Sequence, residues 1–294
     1  MRAACTVLIA ILAAPAFAQD RPPRAPQTDQ TVPAARGSRL AISNFAGEVA
    51  IRAWDRDELR VQARHSLRTR INVRTTDAGL AVSASASTGP PGAVDYEISV
   101  PAWMPIKIDG QFNFVTVEGT SSDVAAETVR GDIAIKGGSG FVSAKSVEGK
   151  VSVEGTRGRV EAHSVNEGIT VSGSTGEILA ETINGPITLS GIDSGNVDAG
   201  TVNGDITYDG TADEKGRYRF TTHNGDIVVT LPVNASALFS VRTYNGDFSS
   251  SLPVKGEGDP RRGRRVTYTL GTGSAEFELE SFGGAIRLQR AERQ

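Results

Sequence analysis

Three aspartates hold the same place in three copies of a short motif, since Asp205, Asp226 and Asp247 each follow an Asn-Gly pair. Carboxylate oxygens are ligands that Ca²⁺ prefers, and carboxylates stacked on adjacent strands repel unless a cation or a base lies between them. The pattern allows two interpretations: a weak calcium site, or side chains that each cap their own turn and face solvent. The second is favoured, because the glycine-rich nonapeptide of calcium-binding repeats is absent.

A basic segment, "KGEGDPRRGRR" at 255–265, is a second place where chemistry is concentrated. Its four arginines are Arg261, Arg262, Arg264 and Arg265. Clustered guanidinium groups suit an anionic envelope polymer of the lipopolysaccharide type. A surface loop without a defined partner accounts for the same residues, and this interpretation is favoured.

Hydroxyl side chains form a third pattern, at outward positions of predicted strands. They are Ser152, Thr170, Ser172, Thr188, Ser190 and Thr207. A flat hydroxyl face suits glycan binding or the ordering of water, although glycan sites usually also have exposed aromatic residues. A soluble sheet face is the favoured interpretation.

Catalytic patterns are missing from the sequence. The three histidines, His65, His163 and His223, are not spaced as metal ligands or as part of a triad, and no G-x-S-x-G motif is present. We therefore expect a non-catalytic protein with no cofactor and no metal beyond the weak calcium alternative.

The elements that position these side chains come from a repeat. Its turn glycines are Gly131, Gly149, Gly168, Gly185, Gly204, Gly225 and Gly246. Each repeat has apolar residues at fixed slots, followed by Ser or Thr before the glycine. The second slot is Ala in five repeats and Phe220 and Val241 in the last two, and the slot after the glycine is Ile or Val except at Phe248. Like residues recur in one slot when each coil lies directly on the last, about 4.8 Å away. The pattern predicts an all-β, parallel β-solenoid with 17–21 residues per coil and the usual right-handed crossovers.

The stretch "TVNGDITYDG" at 201–210 shows what the repeat changes. Taken alone, Asn-Gly between alternating runs predicts a hairpin. Beside its copies it predicts one corner of a coil, with Gly204 at a tight bend and Asn203 in the left-handed conformation. Tyr208 should point into the core, and the Ser/Thr slot of residues 128–243 should satisfy backbone groups near the turns.

Four segments are expected along the chain. Residues 1–18 have the charged start, apolar stretch and small-residue end of a secretory signal peptide cleaved after Ala18, and they contain the single cysteine, Cys5. Residues 19–36 are a proline-rich linker, 37–110 are N-terminal β-rich coils or a cap, and 111–290 are the repetitive solenoid, continuous with the preceding segment and ending in a last coil near 275–290. The protein should be periplasmic or secreted.

The overall charge of −3 provides no basic footprint for nucleic acid. After signal removal no stretch approaches 18 apolar residues, so no membrane span is expected.

The segments Gly47–Ala63 and Val94–Gly110, with the repeated T-V-x-G-x-I coils to Phe248, resemble the adhesin-like β-solenoid domains of unknown function found in bacterial exported and envelope proteins. The resemblance implies a parallel solenoid, export, and binding or scaffolding at the envelope, with a polysaccharide or another envelope protein as partner. It carries over no catalytic residue. Two alternatives stay open: a polysaccharide lyase or hydrolase on the same scaffold, and a periplasmic partner in envelope-stress signalling.

Overall fold

The computed structural model describes residues 28–291, so the predicted signal peptide, Cys5 and the Ala18 cleavage site lie outside it. This part of the chain contains 24 strands and no helix, and hence no helix with the length and hydropathy of a membrane span. The strands are β1 Thr28–Pro33, β2 Arg39–Trp54, β3 Glu58–Arg64, β4 Thr69–Thr76, β5 Gly79–Ala86, β6 Asp95–Pro101, β7 Ile106–Thr120, β8 Val124–Arg130, β9 Ile133–Gly137, β10 Ser139–Glu148, β11 Val151–Glu154, β12 Arg157–His163, β13 Ile169–Ser172, β14 Ile178–Glu181, β15 Ile187–Ile192, β16 Asn196–Asn203, β17 Ile206–Gly210, β18 Arg217–Asn224, β19 Ile227–Leu231, β20 Ala237–Thr243, β21 Phe248–Ser250, β22 Val266–Leu270, β23 Ala275–Ser281 and β24 Ile286–Arg290. The predicted all-β class is confirmed.

Equivalent slots of consecutive repeats lie side by side in parallel strands. Val142 is paired with Val124 on one side and Val160 on the other, while Val151 is paired with Ile133. One strand of each coil (β8, β10, β12, β14, β16 and β18) builds a first face, and the other strand (β9, β11, β13, β15, β17 and β19) builds a second face. This is the solenoid-like stack that the repeat predicts.

The core lies between these two faces. The alternation of buried and half-buried residues along each strand turns the Val and Ala slots of the first face towards the Ile and Val slots of the second. The alanine column ends at Ala199, and Phe220 follows it in register. There the interior is filled by aromatic rings, with Tyr218 stacked on Phe277 at 4.2 Å and Tyr208 fully buried as predicted.

The buried Ser/Thr column secures the corners of the coils. The Thr201 hydroxyl donates to the Gly185 carbonyl of the preceding coil at 3.1 Å, and Thr222 donates to the Gly204 carbonyl at 2.9 Å. A buried carbonyl without a partner is costly, so each hydroxyl satisfies a backbone group that the tight corner would otherwise leave unpaired. The predicted structural role of this column is confirmed.

Replacing Thr201 with valine should lower the free energy of unfolding by about 1–3 kcal/mol, because the shape is kept while a buried hydrogen bond is lost. Thr188 is the matched control, since its half-exposed side chain lies on the outer surface and Thr188→Val should change stability by less than about 0.5 kcal/mol. Urea unfolding measures both. Equal losses for the two variants would contradict the role of the buried column.

The corner at "TVNGDITYDG" differs in detail from the prediction. Asn203 is not left-handed: among residues 28–291 only Lys215 and Arg262 are non-glycines with positive φ. Asn203 belongs to β16, and its amide donates to Asn184 at 2.9 Å, while Asn224 donates to Asn203 at 2.8 Å. Asparagines stacked coil on coil therefore form an amide ladder, and the residue serves the contact between coils instead of the turn.

The coils do not stack in sequence order near the C-terminus. The last coil, β23 and β24, lies between β18–β19 and β20–β21, so that Phe277 is paired with both Tyr218 and Phe239. The expectation that 275–290 would end the stack is therefore wrong. The outermost strand of the first face is β22, which runs antiparallel to β20.

The N-terminal end of the stack also has a strand inserted out of sequence order. β2 is inserted between β7 on one side and β5 and β6 on the other, all parallel to it. Beyond them β4 pairs antiparallel with β5, β3 with β6, and β1 with β3. The segment predicted as linker is thus partly a strand, because Thr28–Pro33 pairs along β3. Antiparallel strands thus cover the N-terminal end of the stack and the first face at its C-terminal end, where parallel pairing would otherwise continue with another chain.

Candidate functional site

Two of the three aspartates, Asp205 and Asp226, accept hydrogen bonds from the next coil, so the expectation that each caps its own turn is wrong for them. Asp205 Oδ1 accepts the backbone N–H of Asp226 at 2.8 Å. Asp226 in turn accepts the N–H of Ala285 at 2.7 Å and a guanidinium N–H of Arg287 at 2.6 Å. Partial burial alone would raise the pKa of Asp226, but these two donors together hold it below its usual value.

The three aspartates do not form the predicted stack. β24 lies between β19 and β21, so Ala285 takes the slot between Asp226 and Asp247. Asp247 instead lies 3.5 Å from Arg261. Since no group of three metal-ligating side chains occurs within residues 28–291, the calcium interpretation and the convergent carboxylates of the enzyme alternative both lose their geometric basis.

Two of the four arginines of the basic loop are engaged within the fold. Arg261 pairs with Asp259 at 2.6 Å, and Arg265 pairs with Glu278 at 2.7 Å. Among the described residues, Arg262 and Arg264 have no ion pair. The loop therefore presents less free positive charge than its sequence indicates, which weakens it as an attractor of anionic polymers.

A groove of about 430 Å³ on the first face contains a carboxyl group that sequence reasoning did not single out. Burial raises the pKa of Asp198, and the carboxylates of Glu181 and Glu278 add to the increase while Arg219 opposes it. Asp198, Arg219 and Glu278 follow one another on adjacent strands. Their alternating charges support the register of the strands.

The outward slots of the second face form the predicted hydroxyl surface, which we call the hydroxyl strip. Its members are Ser152, Thr170, Ser172, Thr188, Ser190 and Thr207. Thr188 is paired with Thr170 and with Thr207, and Ser172 is paired with Ser190. Neighbouring hydroxyls are therefore about 4.8 Å apart across strands and about 7 Å apart along a strand.

The hydroxyls of the strip are available for a ligand. None of the six takes part in a hydrogen bond with another residue of the described chain, in contrast to the buried column, whose hydroxyls donate to backbone carbonyls. An ion pair lies near each end: Lys136 with Glu154 at 3.6 Å, and, beyond Val228, which follows Thr207, Arg287 with Asp226 at 2.6 Å. The strip is thus a neutral surface of free donors and acceptors.

An apolar ridge along one corner of the stack is a feature that sequence reasoning missed. The residue after each buried hydroxyl points outward, and these residues are Val129, Val147, Val165, Ile183, Val202, His223, Phe282 and Tyr244. Val129, Val147, Ile183, Val202 and Phe282 are 40–48% exposed. The sequence did contain a signal for this ridge. A residue next to an inward-facing one in a strand must face outward, and the residue after the buried Ser or Thr is apolar in most repeats.

Beside the ridge runs a column of charged and small residues. Lys145 is paired with Glu127 and His163, and Glu181 follows at 3.3 Å from the His163 ring. The outward, stacked position predicted for His163 is confirmed. The next member is Gly200, and its missing side chain leaves a shallow groove of about 470 Å³ between this column and the ridge.

Comparison with known proteins identifies a family. The family model described as Toastrack DUF4097 matches residues 38–289. No curated protein matches the chain.

Solved structures are similar at low identity. A "putative adhesin" from Bacteroides fragilis NCTC 9343 is 13% identical with a TM-score of 0.45, covering 90% of this chain and 96% of its own. A "putative adhesin" from Parabacteroides merdae ATCC 43184 is 10% identical with a TM-score of 0.38, covering 89% and 95%. A "putative cell adhesion protein" from Clostridium sporogenes ATCC 15579 is 11% identical with a TM-score of 0.26, covering 90% and 99%.

Proposed function

The chain belongs to the Toastrack DUF4097 family, and we propose that it is an exported, non-catalytic, adhesin-like protein that binds a neutral, hydroxyl-rich polymer of the bacterial envelope along the hydroxyl strip. Its action is to hold an extended ligand on a flat, repetitive surface. The observation that carries the proposal is the row of outward hydroxyls in register on four consecutive coils, none of them used within the fold.

The repeat of the strip favours an extended ligand over a compact one. Coils present like groups at intervals of about 4.8 Å, so a polymer lying across the coils meets the same donors and acceptors several times. Each contact alone is weak, but contacts on one linear ligand add without new ordering of the protein. A rigid sheet also keeps the hydroxyls in place before binding.

The charges around the strip favour a neutral polymer. Both bordering ion pairs are internally neutralised, and the next outward residue beside Ser190 is the exposed carboxylate Asp209. An anionic chain on the strip would meet Asp209 without a free cation beside it. A neutral polysaccharide avoids this repulsion, and its hydroxyls can both donate to and accept from Thr and Ser.

Export and coil geometry complete the proposal. The leader of residues 1–18, with cleavage after Ala18, would place the mature protein in the periplasm or outside the cell. We also infer coils of 17–21 residues with right-handed crossovers, the hand that parallel strands almost always adopt.

A binding screen of the chain starting at Gln19 tests the function. Neutral glucans, peptidoglycan fragments and lipopolysaccharide are each titrated in the presence and absence of Ca²⁺. We expect binding to a neutral polymer that Ca²⁺ does not change, because Asp205 and Asp226 already accept backbone and arginine N–H groups and Asp247 lies apart from them beside Arg261.

Deletion of residues 255–265 serves as the control for the basic loop and should leave affinity for the neutral polymer unchanged. Absence of binding to every polymer would contradict the proposal. Binding to lipopolysaccharide alone, lost with the loop, would also contradict it and would assign binding to Arg262 and Arg264. Shortened polymer after incubation would support the enzyme alternative.

A further inference from the structure

The apolar ridge needs an explanation that the hydroxyl strip does not provide. Scattered exposed apolar side chains are ordinary, but a continuous row along one edge marks a contact surface. The ridge spans eight adjacent coils, which at about 4.8 Å per coil is about 34 Å. It ends in packed rings, with His223 stacked on Phe282 at 4.6 Å and Tyr244 tilted against Phe282 at 5.0 Å.

The ridge is bordered by polar columns on both sides. The charged column reads, in the order of the coils, Glu127, Lys145, His163, Glu181, Gly200, Thr221, Glu280 and Arg242. On the other side the amide ladder joins four asparagines, Asn166, Asn184, Asn203 and Asn224, through side-chain hydrogen bonds of 2.8–3.2 Å.

The charged column is complementary to its own reversed copy. When two copies face each other antiparallel, Glu127 meets Arg242 and Lys145 meets Glu280, so opposite charges face each other at both ends. At the centre Glu181 meets Gly200, where the missing side chain leaves the groove of about 470 Å³. No like charges oppose each other in this alignment.

The amide ladder has the same centre of symmetry. Asn184 and Asn203 lie on the two coils at the middle of the charged column, and Asn166 and Asn224 lie on the coils next to them. Reversal therefore places amide against amide, and amides can donate to and accept from one another. Two columns of different chemistry thus share one point of reversal, between the coils of Ile183 and Val202.

We propose that the ridge is the contact surface for a second copy of this chain, related by a two-fold axis that lies in the contact plane at right angles to the ridge. Such an axis places ridge on ridge, charged column on charged column and amide ladder on amide ladder, as an isologous dimer requires. The ridge and the two columns beside it form a narrow contact surface, so the dimer should form at micromolar concentrations. The proposal is independent of polymer binding, since the hydroxyl strip lies on the second face.

Cross-linking of single-cysteine variants tests the antiparallel alignment in the chain from Gln19, which lacks Cys5. Val147 and Phe282 lie on the second and seventh coils of the ridge, so Val147→Cys in one copy should face Phe282→Cys in another. A short bismaleimide should link the two variants when they are mixed, and neither should link to itself. Ser249→Cys, exposed on the second face, is the control and should give no product in any mixture.

Sedimentation of a second variant tests the groove that Gly200 leaves at the centre of the charged column. An added Cβ at Gly200 meets no atom of its own chain within 4 Å, but Glu181 of the same chain is its register partner. Gly200→Glu therefore places a carboxylate beside Glu181 of its own chain as well as opposite Glu181 of the other copy, twice per dimer, and Gly200→Gln is the control that fills the same space without charge. We expect dissociation to become at least tenfold easier for Gly200→Glu than for Gly200→Gln, with a cooperative thermal melt retained by both variants. Self-linking of Val147→Cys would overturn the antiparallel arrangement, and a monomer at all concentrations, or a dimer unaffected by Gly200→Glu, would overturn the proposal.

Discussion

Replacing Gly204 with alanine is expected to lower the free energy of unfolding by about 3 kcal/mol or more. A Cβ atom at this position would lie 2.0 Å from the carbonyl oxygen of Gly185 and 2.4 Å from its carbonyl carbon. Those atoms belong to the backbone of the adjacent coil, which cannot rotate away as a side chain could. Gly225 meets the Gly204 carbonyl in the same way at 1.9 Å, so the corner glycines allow successive coils to approach closely.

Gly200 is the matched control for Gly204, because it lies four residues earlier, in the strand that ends just before Gly204, and an added Cβ there meets no atom within 4 Å. Gly200→Ala should change stability by less than about 0.5 kcal/mol or increase it slightly. Chemical denaturation of both variants measures the difference. A Gly204→Ala protein as stable as Gly200→Ala would show that the coils are not packed at this distance.

Ending the chain at Ser274 is expected to abolish the cooperative unfolding transition. This deletion removes β23 and β24 from the interior of the stack, so β18 and β19 lose the strands on one side and β20 and β21 lose theirs on the other. It also removes Phe277 from the aromatic core. Circular dichroism and thermal melting report the outcome. In a stack built in sequence order, the same deletion would only shorten one end, and a cooperative melt would remain.

Paired cysteines test the order of the coils in the chain from Gln19, without the removal of any strand. Thr221 and Glu280 are register partners at outward positions, so their cysteines should be within disulfide range under oxidation. Thr221 and Arg242 would be partners if the coils followed sequence order, but β23 separates them by two strand spacings, about 9.6 Å. A disulfide between positions 221 and 242, and none between 221 and 280, would contradict the inserted coil.

The side-chain columns could be predicted because they follow from physical constraints that each coil repeats. Strand alternation requires that Val124 and Ala126 share a face, and stacking of like on like requires that Val142 and Ala144 lie beside them. The buried position of Tyr208 and the outward position of His163 follow from the same two rules.

The order of the coils could not be predicted from those rules. Phe239 and Phe277 suit the slot beside Tyr218 equally well, so the column pattern says which residues align and not which strands are neighbours. The antiparallel pairing of β22 with β20 favours β20 near the end of the stack. Because β22 lacks the repeat motif, the repeat pattern in the sequence could not predict this pairing.

The candidate surfaces were predictable to different degrees. The hydroxyl strip follows from outward parity of Thr170 and Thr188, but its availability depends on the absence of internal partners, which only side-chain positions show. Asn203 was assigned to the turn because asparagine tolerates the left-handed region, whereas its amide stacks with its copies. Asp205 and Asp226 do lie on adjacent coils, and Asp247 appeared as the third neighbour only because the coils were assumed to follow sequence order.

Binding of the preferred neutral polymer to a valine-substituted strip tests the central claim most directly. Thr170→Val with Thr188→Val keeps the shape of both side chains and removes two central hydroxyls, and Thr221→Val with Thr267→Val makes the same change at outward positions of the first face. Isothermal titration should show affinity at least tenfold weaker for the first pair, corresponding to the loss of two or more hydrogen bonds, and unchanged for the second. Equal affinity of both double variants would contradict the hydroxyl strip as the binding surface.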